Sequence, residues 1–300
     1  MANLRDIRRR IKSVKNTAQI TRAMQMVAAA KMKKAQDQAL AGRDYADLLN
    51  QVLVNLKENV DEEAHPLLEK RDEGKELMLV ISTDKGLCGA LNTNLLKKVR
   101  SSASQDVEVE YITVGRKLRE QLSKAGEELI ADFEVADPAP FMEARPIASL
   151  LMKKFLSGEY GKISVAFTNF VSTMTQDPTV VQLLPIDADS VGEKQDYEGV
   201  GKDEIKETDH EVALGKEYLF EPSSEGVLDA LLPLYVNFQI YQMIIESRAS
   251  EHSARMVAMK GATDNAKKMT KELTLEYNKA RQAAITAELL EITTAMKAME

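Results

Sequence analysis

The chain has 300 residues, enough for one large domain or two, with an ordinary apolar share of 44% and a net charge of −7. It contains no apolar run of about 18 residues, and its basic N-terminus has no apolar core, so neither a membrane span nor a secretory signal is expected. One cysteine, Cys88, excludes an intrachain disulfide and fits a reducing compartment, and three scattered histidines (His65, His210, His252) give no metal-ligand spacing.

Residues 1–56 read as one long helix. Positions spaced alternately by three and four run Leu4, Ile7, Ile11, Val14, Ala18, Thr21, Gln25, Ala28, Met32, Ala35, Ala39 and Gly42. This is a coiled-coil seam, apolar at first and then built of small residues that let two helices approach closely. No proline precedes Pro66, so about 54 residues can be helical, a length of roughly 80 Å. Residues 1–43 carry 11 Lys and Arg against Asp6 and Asp37, and the middle of the chain carries the compensating acidic excess. A basic helix on an acidic body suggests partners that differ along its length. It lacks interleaved aromatics or a nucleic-acid motif, so a solvated face, or one meeting acidic protein, is the better reading.

Residues 75–215 read as an α/β domain. Strands are expected at Glu76–Ser82, Val107–Val114, Leu129–Phe133, Lys162–Thr168 and Val180–Pro185. Helices are expected at Thr93–Ser101, Arg116–Ala125 and Ala144–Gly158. Strands alternating with helices imply a mostly parallel sheet. The turn TDKGLCGALN, Thr83 to Asn92, matches neither glycine-rich phosphate pattern. Gly86 and Gly89 are expected to permit a tight turn and close packing, and Cys88 to be a small buried residue. Residues 187–214 are polar and acidic without an apolar period.

Residues 216–300 hold a second long helix of about 76 residues, roughly 110 Å. Pro222-Ser223-Ser224 offers its cap, and Pro233 is expected to kink or restart it. A seam runs Met256, Met259, Thr263, Ala266, Thr270, Leu273, Tyr277, Ala280, Ala284, Ala287. Another stripe then takes over: Ile285, Leu289, Ile292, Met296, Met299. A stripe that changes face suggests last turns that leave the partner helix and meet something else.

Long strings of this chain resemble the gamma subunit of bacterial F-type ATP synthase. They are Ile7 to Met32, Ser82 to Asn92 (STDKGLCGALN), Tyr218 to Ser223 (YLFEPS), Ser250 to Ala266 (SEHSARMVAMKGATDNA) and Tyr277 to Ile292. The resemblance implies a central Rossmann-like α/β domain with a long antiparallel coiled coil of the two terminal helices. It implies a rotor inside a ring of three alpha and three beta subunits, bound at its foot to the epsilon subunit and the membrane c-ring, with no nucleic-acid partner. ATP chemistry then belongs to beta, and no catalytic residue, cofactor or metal is expected here. By motif, Met24, Arg255, Arg281, Gln282, Thr286 and Glu288 fall at shaft–ring contacts, and Glu221 at the foot on the c-ring side.

Two features depart from the family pattern. After Glu291-Ile292 the chain ends TTAMKAME, without the usual glycine and more helical, and no second cysteine accompanies Cys88 for a thiol switch. The alternative is a free-standing coiled-coil adaptor or chaperone with an α/β head. A nucleotide-dependent enzyme built on residues 80–95 is weakened by the missing phosphate-loop pattern.

Overall fold

The computed structural model describes residues 4–42, 45, 48–49, 52–53, 65–71, 73–103, 107–186 and 223–299. Glu221 and the segment 187–214 lie outside the described residues. The chain forms two compact units, residues 1–28 with 256–300, and residues 29–255. The long helices α1 (Leu4–Ala41) and α5 (Ser224–Met299) each contribute to both.

In the larger unit, the elements are β1 (Lys75–Ile81), α2 (Leu91–Ser102), β2 (Val109–Val114), α3 (Arg116–Ala125), β3 (Leu129–Phe133), α4 (Ala144–Leu156), β4 (Tyr160–Phe170) and β5 (Gln176–Leu184). The strands lie in the order β3-β2-β1-β4-β5. The first four are parallel, and β5 returns antiparallel along β4. Alternate residues of a strand face opposite sides, and β1 uses both. Leu77, Leu79 and Ile81 pack with Ile147, Leu151 and Phe155 of α4 and with Val236, Ile240 and Ile244 of α5. Met78 and Val80 pack with Leu95 and Val99 of α2 and with Leu118 and Leu122 of α3. The mostly parallel sheet is the one the alternation implied, and helices on both its faces make the Rossmann-like arrangement that the family resemblance implied.

Gly115 ends β2 at φ +91, and a Cβ there would collide with the Ser82 carbonyl, so this close strand-end approach needs glycine. Ser223 caps α5, its Oγ accepting from the Gly226 amide at 3.1 Å. Pro233 lies inside α5 without interrupting it. The expected restart is absent, and the Asn237 amide donates to the Pro233 carbonyl at 2.7 Å.

In the smaller unit, α1 and α5 pair through the predicted seams. Every seam position of α1 from Leu4 to Gly42 is buried or half-buried, while the basic residues beside it are exposed. On α5 the seam stays covered from Met256 to Ala284, but Ala287 is exposed. The Thr21 and Thr263 hydroxyls share a 2.7 Å hydrogen bond. In the larger unit Ala35 and Ala39 cluster with Ile245 and Ala249. Partner numbers fall as those of α1 rise, so the pairing is antiparallel. No described helix is long and apolar enough to cross a membrane.

Candidate partner-contact site

Two of the strings that carry the family resemblance meet in the larger unit. The strand order reverses between β1 and β4, and open α/β sheets leave a crevice at the carboxyl ends of such strands. Residues 246–253 of α5 fill it, and all are buried despite seven of the eight being polar or charged. Ser250 Oγ donates to the Thr168 carbonyl at the end of β4 at 3.0 Å, and Ser247 Oγ lies 3.5 Å from the Ile81 carbonyl at the end of β1.

Charge pairing makes this burial tolerable. Arg248 donates to Glu251 at 2.9 Å, to Asp84 at 3.2 Å and to the Val135 carbonyl at 2.7 Å. Arg255 donates to Glu251 at 2.6 Å and to the Lys85 and Gly86 carbonyls at 3.3 Å each. The TDKGLCGALN turn is therefore tied to α5. Thr83, Asn92 and Cys88 close it from within, Asn92 Nδ2 lying 2.8 Å from Thr83 Oγ1 and 3.5 Å from Cys88 Sγ. Burial pushes the Cys88 thiol up, the opposite of an activated nucleophile. Gly89 has φ +63, as a tight turn requires. A Cβ at Gly86 or Gly89 would meet nothing within 4 Å, so the expected close packing is not the reason for either glycine.

Asp137, after β3, joins both long helices. It accepts from Lys31 of α1 at 2.6 Å and from His252 of α5 at 3.3 Å. Arg255 stands 3.3 Å from His252 Nδ1, and arginine only donates, so Nε2 carries the proton directed at Asp137. The His252 hydrogen bond, helped by Lys31 and opposed by burial, holds the Asp137 carboxyl below the usual carboxylate range. Elsewhere, Glu108, Glu110 and Glu128 converge closely enough to ligate a cation, but the Lys75 ammonium stands there, 3.4 Å from Glu108 and 2.6 Å from Glu110.

The predicted contact residues fall into separate places. Met24 is half-buried on α1. Arg281, Gln282, Thr286 and Glu288 are exposed on α5, in a stretch whose residues from 285 to 299 are all exposed. The stripe Ile285, Leu289, Ile292, Met296 and Met299 is uncovered there, Met299 being 91% exposed. Arg255 is engaged within the chain, its side chain only 12% exposed. Arg248, Asp84 and Asp137 were not singled out from sequence. Arg248, Glu251 and Arg255 share one helix face by their spacing, a readable signal. The pairings of Asp84 and Asp137 span more than a hundred residues and leave no local trace.

A family model described as ATP synthase matches residues 3–299. The chain belongs to the ATP synthase gamma family. It is 51% identical to an ATP synthase gamma chain of Akkermansia muciniphila over 300 residues, covering all of both chains. It is similar in fold to a chain of the Euglena gracilis mitochondrial ATP synthase OSCP/F1/c-ring, with TM-score 0.65 at 19% identity, covering 99% of this chain and 94% of that one. A chain from the central stalk/c-ring of the Tetrahymena thermophila mitochondrial ATP synthase superposes with TM-score 0.59 at 25% identity, covering 81% of this chain and 99% of that one.

Proposed function

We propose that this chain is the central-stalk rotor of a proton-transporting F-type ATP synthase, a subunit with no catalytic residues of its own. It couples rotation of the membrane c-ring to ATP synthesis or hydrolysis at the beta subunits, and it helps regulate ATPase activity and proton flow. Its partners are three alpha and three beta subunits, the epsilon subunit and the c-ring. Through that complex it sits peripherally at the cytoplasmic face of the bacterial plasma membrane. The observation that carries this reading is 51% identity to a gamma chain over all 300 residues.

The physical logic is a symmetry mismatch. One copy inside a threefold ring must touch the three beta subunits differently at any moment. Turning it then shifts each site's conformational equilibrium by the difference in contact energy between states. Met24, Arg255, Arg281, Gln282, Thr286 and Glu288 make these ring contacts, and Glu221 lies at the foot on the c-ring side. The uncovered stripe of α5 supplies apolar surface for the ring, and the basic face of α1 suits acidic protein.

Co-expression with the alpha and beta subunits of the same organism, followed by native mass measurement, tests this. One copy per six-subunit ring is expected. A ring that assembles without this chain would favour a free-standing adaptor.

A further inference from the structure

Residues 246–255 of α5 are gripped by the sheet on two flanks. Successive helix residues turn by about 100°. Ser247, Glu251, Arg255 and Arg248 therefore share an arc of about 100°. They face the end of β1, the turn after it and the Val135 carbonyl. Glu246, Ser250 and Ser253 form a second arc, centred about 140° from the first. They face the end of β4 and the turn beyond. Glu246 accepts from the Phe170 amide at 3.3 Å, Ser250 donates to the Thr168 carbonyl at 3.0 Å, and Ser253 donates to the Thr173 carbonyl at 2.8 Å. Apolar contact is non-directional and lets a helix roll in its groove. Directional bonds on two flanks fix its azimuth.

Arg248 is the centre of the first flank. Its side chain is 8% exposed and joins three separate parts of the fold: Glu251 on its own helix, Asp84 after β1 and Val135 after β3. A planar guanidinium presents donors in a rigid fork, and no other side chain reaches three such acceptors at fixed angles. We propose that Arg248 is a positioning residue that locks α5 against rolling in the crevice at the ends of β1 and β4, so that torque passes between the α/β domain and α5 at this contact. The proposal rests on the rotor reading above and adds to it the place where the load crosses from sheet to helix. Of the ring-contact residues only Arg255 shares this flank, and the test leaves it unchanged.

The test uses the whole complex in sealed vesicles, with ATP hydrolysis and ATP-driven proton uptake measured on the same sample. Arg248→Met keeps the bulk and removes the fork. Its protons pumped per ATP should fall by about threefold or more, since breaking a buried ion pair leaves partners uncompensated. Arg248→Lys should fall between, keeping the charge without the fork. With a protonophore present to remove the load, hydrolysis by the Met variant should approach that of the wild type, which simple loss of folding would not allow. An unchanged ratio in Arg248→Met overturns the proposal. Should that variant not enter the complex, Asp84→Asn keeps the Arg248–Glu251 pair and an oxygen for the Arg116 amide, and removes the charge from the tie between Arg248 and the turn. It should lower the ratio in the same direction, and an unchanged ratio there overturns the proposal equally. Wild-type complex that lacks this chain would instead defeat the rotor reading itself.

Discussion

Thr21 of α1 and Thr263 of α5 join their hydroxyls at 2.7 Å in the buried seam of the smaller unit. The pair holds two hydroxyl hydrogens: one crosses the seam, and the other goes to a carbonyl of its own helix, Met259 at 2.8 Å from Thr263 or Ala18 at 3.2 Å from Thr21. Polar pairing at a small-residue seam fixes register where apolar bulk is scarce. Removing either hydroxyl deletes the buried cross-seam bond while the other keeps its own-helix carbonyl, so Thr21→Val or Thr263→Val should each cost about 1 kcal/mol. The double variant should cost less than the sum, because the one cross-seam bond is counted in both single variants. Denaturant unfolding of the full chain and the three variants checks this, and strict additivity would disprove the coupling.

Asp137 predicts a pH dependence. Its carboxyl is held low in the folded chain, so the native state binds fewer protons there than the unfolded state. The stabilisation it brings is complete above the unfolded pKa of about 3.9 and is lost as pH falls from there through the lowered folded value. Asp137→Asn should be less stable than wild type at neutral pH, and the gap should close as pH falls below about 4. Thermal unfolding across that range measures it, and a constant gap would contradict the assignment.

Gly115 and Gly86 make opposite predictions. Gly115→Ala forces a Cβ into the Ser82 carbonyl at φ +91 and should destabilise by about 2 kcal/mol. Gly86→Ala meets open space without positive φ and should be neutral or stabilising by about 0.5 kcal/mol. Equal effects in a side-by-side melt would contradict the geometry.

The uncovered end of α5 separates partner contact from folding. Ile292 is 57% exposed, so Ile292→Lys should change the stability of the isolated chain by no more than about 0.5 kcal/mol. It should weaken association with an alpha–beta ring in a titration. Met24→Lys, half-buried on α1, should lower proton pumping per ATP hydrolysed in the complex. Unchanged association in the first case, or an unchanged ratio in the second, removes that residue from the ring contact.

Much of this architecture was legible because local period and core burial agreed. The α3 and β3 boundaries coincide with those expected, since Leu118 and Leu122 supply one helical face and turn glycines bound the segment. The seam of α1 was legible because its twelve positions keep the three-four spacing without a charged interruption. The antiparallel return of β5 was not, because a strand's apolar pattern is the same in either direction. Nor was the filling of the crevice by α5. Its residues there are Glu, Ser, Arg and His, which look like a solvated face until Asp84 and Asp137 arrive from the far end of the sheet. Arg255, read by motif as a surface contact, is largely occupied by Glu251 and the turn.

The central claim is that this chain turns inside a ring. The direct measurement anchors the alpha–beta ring of the assembled complex to a surface, attaches a probe to the α/β domain of this chain and supplies ATP. Unidirectional rotation in steps of a third of a turn is predicted, one for each beta subunit. A probe that stays fixed while the same complexes hydrolyse ATP would contradict the account.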